Sequence, residues 1–351
     1  MPARDPKPFV IPMFIPHSGC GHRCTFCNQH TVTGQNTRIP ETADLDAEVH
    51  KYLEYRHLGR GFTEISFYGG NFLGMETARI RRLLEAATAW VRAGKVQGIR
   101  FSTRPDTIDA RRLDLLAAYP VSTVEIGVQS MDDAVLDRIK RGHTAADCIR
   151  AAQMLKNGGF RLGCQFMTGL PEEDEDSAVG SAGAIAEMKP DFVRIYPLVV
   201  LSGSVLAGQY RAGRFAPLDI EACIRRMAKL YRIFSENGTP VVRMGLQASE
   251  DLNAPGAVLA GPYHPAMGHM VLSRIMLENA RHQLDAAAEL PEAVSLRVHP
   301  ASISRMRGLK NANMDALKRL YPEVRQFDVR PDPQIAEEDV LVDPAGSALP
   351  V

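Results

Sequence analysis

Phe14-Ile15-Pro16-His17-Ser18-Gly19-Cys20-Gly21-His22-Arg23-Cys24-Thr25-Phe26-Cys27-Asn28-Gln29 places three of the chain's six cysteines within eight positions. Six cysteines in 351 residues are too few for a disulfide scaffold, so three thiols crowded behind an apolar run are a ligand pattern. Spaced four and three apart, three thiolates on one loop can wrap one face of a cubane iron–sulfur cluster, leaving the fourth iron without a protein ligand. Gly19 and Gly21 are expected to let the loop curl closely. Zinc is the competing reading, with His22 or His30 as fourth ligand. A structural zinc loop usually pairs ligands from two separate turns, and the sequence contains no second pair.

Outward from this loop, the apolar runs are regular. Strands are expected at Phe9–Ile15, Glu64–Tyr68, Ile99–Thr103, Thr123–Val128, Gly163–Met167 and Phe192–Tyr196, each short and apolar as a buried parallel strand should be. Helical periodicity falls between them, at Asp44–His57, Met75–Ala93, Ala110–Ala118, Asp132–Ile139 and Ala145–Asn157. Six βα units imply a parallel sheet curled into a partial or full (β/α) barrel, whose chemistry sits on loops at the strand C-termini. The unusual residues do follow strands: the cysteines the first, Gly69-Gly70-Asn71 the second, Arg104 the third, Gln129 the fourth and Gly169 the fifth. Cys148, Cys164 and Cys223 stand singly in apolar stretches, as small buried hydrophobes.

The three-cysteine loop with an aromatic before the third Cys resembles the radical S-adenosylmethionine (SAM) superfamily. The longer string, with FYGGNFLG, STRPD, VEIGVQSMDD, KRGHT, MTGLPE, VRIYPLVVL and RMGLQ following in order, resembles the radical SAM half of the Elongator catalytic subunit and its small bacterial relatives. More distantly it is similar to oxygen-independent coproporphyrinogen III oxidase. The resemblance implies a barrel of radical SAM type, a [4Fe–4S] cluster on Cys20, Cys24 and Cys27, and SAM on the open iron. One-electron reduction would then cleave SAM to a 5′-deoxyadenosyl radical that abstracts hydrogen from a substrate. It further implies a one-electron reductant of the flavodoxin or ferredoxin kind as partner. By the same resemblance Gly69 and Gly70 approach the methionyl amino group, and Asn71 stands where many members have Glu. Gln129 and Arg141 match SAM contacts, Gln165 replaces an Asp that meets the ribose, Arg104 lies in the shared STRPD, and Tyr196 is a candidate neighbour of the adenine. No acetyltransferase domain of the Elongator kind and no auxiliary cluster site are expected from the remaining sequence.

The expected domains are 1–215 for the barrel, 216–330 for a smaller C-terminal α/β extension and 331–351 for an acidic tail. In the extension, a helix at Leu218–Asn237, a strand at Val241–Gly245 and a helix at His269–Ala288 precede a strand–helix–strand order: Val294–Val298, Ile303–Leu320, Val324–Val329. Residues 301–330 carry seven Lys or Arg against three acids. The basic turn Arg307-Gly308-Leu309-Lys310-Asn311 resembles half of a KH domain, although the second glycine of its Gly-x-x-Gly loop is missing. Arg305, Arg307 and Lys310 are therefore candidate RNA contacts, a solvated basic helix face being the alternative. The net charge is zero, which excludes a uniformly basic polyanion-coating protein. No apolar run approaches the roughly 20 residues of a membrane span. With no signal-peptide pattern at the N-terminus, a reducing, cytoplasmic setting is expected. Three targets stay open on sequence grounds: RNA, most simply tRNA; a tetrapyrrole-like small molecule; or no reaction at all, in a cluster-bearing binding protein.

Overall fold

The computed structural model describes residues 8–28, 31, 40–55 and 62–344. They fall into two compact units. The first runs through Asp219 and resumes at Leu230–Tyr263; the second comprises Ile220–Lys229 and the chain from His264 onward.

The first unit is a curled half-barrel of seven parallel strands. Six come in βα alternation: β1 (Phe9–Phe14), β2 (Thr63–Tyr68), β3 (Gly98–Thr103), β4 (Val121–Gln129), β5 (Arg161–Thr168) and β6 (Phe192–Pro197). Between them lie α1 (Thr42–Glu54), α2 (Thr77–Arg92), α3 (Ala110–Leu116), α4 (Asp133–Arg138), α5 (Ala145–Asn157) and α6 (Glu175–Glu187). A two-residue β7 (Val200–Leu201) and α7 (Val205–Arg211) come next, then β8 (Val241–Met244), after the long α8 (Ile220–Glu236), whose residues through Lys229 belong to the second unit. The sheet order β1-β2-β3-β4-β5-β6-β8 leaves β1 and β8 as edges, so the barrel is partial. At one capping box, expectation and structure coincide. Thr144 accepts from the Asp147 amide (3.2 Å) while the Asp147 carboxylate accepts from the Thr144 amide (2.9 Å), and α5 starts at Ala145 as expected.

The expected strands are present, with one difference in character. They are not simply apolar; side chains alternate between two faces. Ile65, Phe67, Ile99, Phe101, Val124, Ile126 and Phe166 are buried on one face. There Phe72, behind β2, stacks on Phe101 with ring centroids 4.5 Å apart. The other face carries Glu64, Arg100, Glu125, Gln165 and Arg194. Val241–Met244, expected outside the barrel, pairs in parallel with β6 and extends its sheet.

The second unit contains α10 (Met267–Asp285), β10 (Ala293–Val298), α11 (Ile303–Arg307), α12 (Ala312–Leu320), β11 (Gln326–Pro331) and β12 (Val340–Pro344), the short α9 (Glu250–Asn253) and β9 (Val258–Ala260) preceding it in the first. Its sheet runs β11-β10-β12, parallel then antiparallel. Leu284, Val294, Leu296, Met306, Leu317 and Phe327 form its core.

Two expectations are corrected here. The helix expected over Ile303–Leu320 breaks at Gly308, whose φ is +75°, and at Lys310 and Asn311, also left-handed, giving two helices around a turn. The segment expected as a free acidic tail supplies β12. Its acids are partnered: Arg297 Nη1 donates to Asp343 (2.8 Å) and Arg297 Nε to Asp332 (3.0 Å). Among the described residues no helix is long and apolar enough to cross a membrane.

Candidate active site

The cysteine loop leaves β1 and is bound to its neighbours by backbone hydrogen bonds. The His17 amide donates to Gly69 O (2.9 Å), the Asn71 amide to Ser18 O (2.8 Å), and the Thr25 amide to Ile139 O (3.0 Å). Asn28 Nδ2 donates to Ser202 O (2.6 Å). Gly19 adopts φ +71°, and a Cβ there would lie 2.1 Å from Asn71 O. A Cβ on Gly70 would lie 2.5 Å from Ile15 O. These two glycines are thus fixed by the close approach of two backbones. A Cβ on Gly21 would meet no protein atom within 4 Å.

Asn71 holds the loop and the end of β3 together. Its Oδ1 accepts from Thr103 Oγ1 (2.7 Å), the Arg104 amide (3.0 Å) and Thr107 Oγ1 (3.0 Å), and its Nδ2 donates to Gly19 O (3.0 Å). Neither Thr was singled out in the sequence, although Thr103 lies within the STRPD string and Thr107 directly follows it. With these four side-chain bonds, Asn71 acts as a clamp. Arg104, buried beside it, forks onto Asp106 (2.9 and 3.0 Å) and leaves Nη1 buried without a partner.

None of the three cysteines is in a disulfide; Cys24 is buried, Cys27 half-buried and Cys20 exposed. Among the described residues no group of three or more His, Cys, Asp or Glu side chains is gathered as metal ligands. A neutral thiol packs as a small apolar group, and only a metal draws thiolates together. The donor set suits a soft cluster, being three thiols with no carboxylate in the loop. Arg141 Nη1 donates to Cys24 Sγ (3.3 Å), an outer partner that orients the sulfur. Its Nη2 donates to Gly127 O (2.7 Å), and its Nε is buried without a partner. Gly127 makes room for this: a Cβ there would sit 2.5 Å from Arg141 Nη2 and 2.8 Å from Gln129 Nε2. Gln129 lies at a β-bulge with φ +69°, strain that a buried non-glycine residue bears at functional positions.

His143, two residues on, was not singled out. Its Nε2 is 3.2 Å from Val128 O and its Nδ1 is buried without a partner. Burial, reinforced by Arg141 and Arg104, pulls it down to about 3, so the ring is neutral at physiological pH. The signal was its place in KRGHT. The His22 ring lies over Gly142, where a Cβ would be 2.8 Å away. His30 lies outside the described residues.

Below this loop end, the inner face of the half-barrel holds a buried charge network. Glu125 Oε1 accepts from Arg100 Nε (2.6 Å) and Tyr68 OH (3.1 Å), and its Oε2 accepts from Gln165 Nε2 (3.1 Å) and pairs with Arg194 Nε at 2.9 Å. Glu64 accepts from Ser122 (2.6 Å) and Thr123 (2.7 Å). Burial opposes ionisation of Glu125, yet Arg194 and Arg100 hold it below the usual carboxylate range. Burial pushes Tyr68 up to about 12, so its hydroxyl stays protonated. Gln165, matched to a ribose contact, spends its amide N–H groups on Glu125 and Ser102 (2.9 Å). Period-two alternation in TEISFY, IRFST and TVEIGVQ was the signal for this polar face. Tyr196 packs with Phe26 against Val135, Ile139 and Met167. Cys148, Cys164 and Cys223 are buried as expected, and burial pushes Cys148 up to about 12.

The sequence matches the Radical SAM superfamily over residues 14–182 and the Radical_SAM C-terminal domain over 190–276. An uncharacterized protein of Methanocaldococcus jannaschii is 29% identical over 227 residues, 61% of this chain and 68% of that one. The tRNA uridine(34) acetyltransferase of the same organism is 34% identical over 125 residues, 35% of this chain and 23% of that one. Protein YhcC of Escherichia coli is 26% identical over 211 residues, 56% of this chain and 63% of that one. This chain therefore spans about a quarter of the acetyltransferase's length. Among solved structures, the archaeal Methanocaldococcus infernus Elp3 with an N-terminal deletion superposes with a TM-score of 0.60 at 21% identity, covering 76% of this chain and 62% of that one. A curled parallel half-barrel with a cysteine loop behind its first strand, matched over these two consecutive spans, makes the chain an enzyme that belongs to the radical SAM superfamily.

Proposed function

We propose that Cys20, Cys24 and Cys27 hold a [4Fe–4S] cluster at which SAM is cleaved reductively, and that the substrate is an RNA, most simply a tRNA. The observation that carries the first part is the construction of the cysteine loop: three cysteines in no disulfide, backbone pinned at Gly19, Gly70 and Asn71, and a buried arginine on one sulfur. Such a cluster, when bound, supplies the electron that releases a 5′-deoxyadenosyl radical from SAM. The chain's own residues do the rest. Arg141 places a guanidinium N–H on the Cys24 sulfur, and the Gly70 backbone and the Asn71 clamp fix the loop. The unpartnered nitrogens of Arg141 and Arg104 are donors for the carboxylate or hydroxyls of a bound SAM. Support for RNA comes from the match to a relative that acts on tRNA and from the basic segment after residue 300. A reductant of the flavodoxin or ferredoxin kind would supply the electron in the cell.

The test is anaerobic reconstitution with iron and sulfide, followed by incubation with SAM and dithionite. Roughly four irons per chain and accumulating 5′-deoxyadenosine are expected, with both lost in Cys24→Ser. Bulk tRNA should accelerate deoxyadenosine formation, and ribonuclease should abolish the acceleration. Cleavage that persists in Cys24→Ser would overturn the cluster assignment; stimulation by a dialysable, nuclease-resistant extract fraction would overturn the RNA substrate.

A further inference from the structure

The second unit has a groove of about 350 Å³ between α12 and β11, lined by Arg307, Asn311, Met314, Lys318, Phe327 and Arg330. Its chemistry is divided. Met314 and Phe327 are core residues that surface only at its floor. Arg307 comes from the end of α11, Lys318 from the helix and Arg330 from the strand, and all three are exposed. Arg330 reaches only Asp328 beside it, at 3.7 Å, and neither Arg307 nor Lys318 has a carboxylate partner among the described residues. Arg305, which the sequence grouped with them, is set apart: its Nη1 faces Ser302 (3.4 Å) and Glu337 (3.6 Å).

The turn at the mouth of the groove is held under strain. Lys310 and Asn311 have φ of 53° and 64°, a left-handed conformation that Lys rarely adopts. Asn313 fixes it: its Nδ2 donates to Ser273 O (2.8 Å) and Met306 O (3.1 Å), and a Cβ on Gly308 would lie 2.9 Å from its amide. The pinned turn presents Lys310 and an exposed Leu309 to solvent.

An apolar floor under a cationic rim fits a flat base below and phosphates above. Two acids also line the groove. Asp328 is occupied by Gln326 (3.0 and 3.1 Å), whereas Asp315 is an unengaged acceptor for a ribose 2′-hydroxyl or an exocyclic amine. We propose that this groove binds a single-stranded segment of RNA, with phosphates on Arg307, Lys318 and Arg330 and a base over Met314 and Phe327. The proposal rests on the RNA reading of the substrate and gives that substrate a site apart from the cysteine loop.

The experiment is fluorescence anisotropy with the full chain and a labelled tRNA transcript across a salt series. In R307A/K318A/R330A the affinity should fall about tenfold or more, and the slope of log K against log salt should become shallower by about 2, as expected for three single-strand phosphate contacts. R307K/R330K should keep the wild-type slope, and a 12-mer of DNA should bind more weakly than the same RNA. Should the triple variant not fold, Lys318→Glu alone is expected to weaken binding severalfold. Unchanged affinity and slope in the folded triple variant, or in Lys318→Glu, overturns the groove. Equal binding of polyglutamate overturns RNA as its occupant. The two readings fail separately: a wild type that binds no RNA sinks both, whereas a triple variant still stimulated by RNA at the wild-type concentration sinks the groove alone.

Discussion

Two regions of this chain gather arginines, and they use them in opposite ways. On the inner face of the half-barrel, Arg100 and Arg194 are buried against Glu64 and Glu125, with Tyr68, Gln165, Ser122 and Thr123 completing the hydrogen bonds. In the groove of the second unit, Arg307 and Lys318 are exposed and form no ion pair among the described residues, although Asp315 and Asp328 line the same groove. A charge pair taken out of water is costly and holds only with good geometry, so the first set fixes the strands that carry the site. An exposed, unpaired cation contributes little to folding and is available to a ligand.

The largest effect should come from breaking the buried set. Glu125→Leu leaves Arg100 and Arg194 facing each other without an anion, and urea unfolding should show a loss of about 3–5 kcal/mol. A loss below 1 kcal/mol would mean that the network is looser than its distances indicate.

Asn71→Ala should come next, at about 1–3 kcal/mol, because the Arg104 amide and the Gly19 carbonyl lose their partner in a buried place. It should also lower iron retention after reconstitution, which a purely global destabilisation, corrected for folded fraction, would not. His143→Gln tests the same end of the barrel through pH. The native ring titrates near 3 whereas the unfolded one titrates near 6.5. Between those values the unfolded state binds more protons, so stability falls as pH falls through that window. The urea midpoint of wild type should therefore drop more between pH 7.5 and 5 than that of His143→Gln. Parallel drops would place the His143 ring in water. The smallest effect belongs to the groove: Arg307→Ala should change stability by no more than about 0.5 kcal/mol while weakening RNA binding.

Much of the first unit was readable in the sequence because each βα unit writes its own strand, helix and cap locally. The Thr144–Asp147 box fixed the start of α5, and the residues after each strand marked the site end. What local pattern could not show was partnership. Val241–Met244 looks the same whether it extends the barrel or starts a new sheet; only its pairing with β6 decides. The acids of the last segment read as a solvated tail until Arg297 took two of them. Asn71 and Gln165 were matched to ligand positions, and the hydrogen bonds they make to neighbouring strands and loops were not legible in the sequence. The inner charge network was present as alternation in each strand but concealed by apolar neighbours.

The bonds of Asn71 also carry a temporal consequence. The Asn71 amide donates to Ser18 O, its side chain accepts from the Arg104 amide, and its Nδ2 returns to Gly19 O. The cysteine loop and the segment after β3 are thereby joined into one opening unit, since neither can lift away without breaking bonds of the other. Deuterium should enter the amides of Asn71 and Arg104 at a common rate, and occupation of the loop by a metal cluster should slow both together.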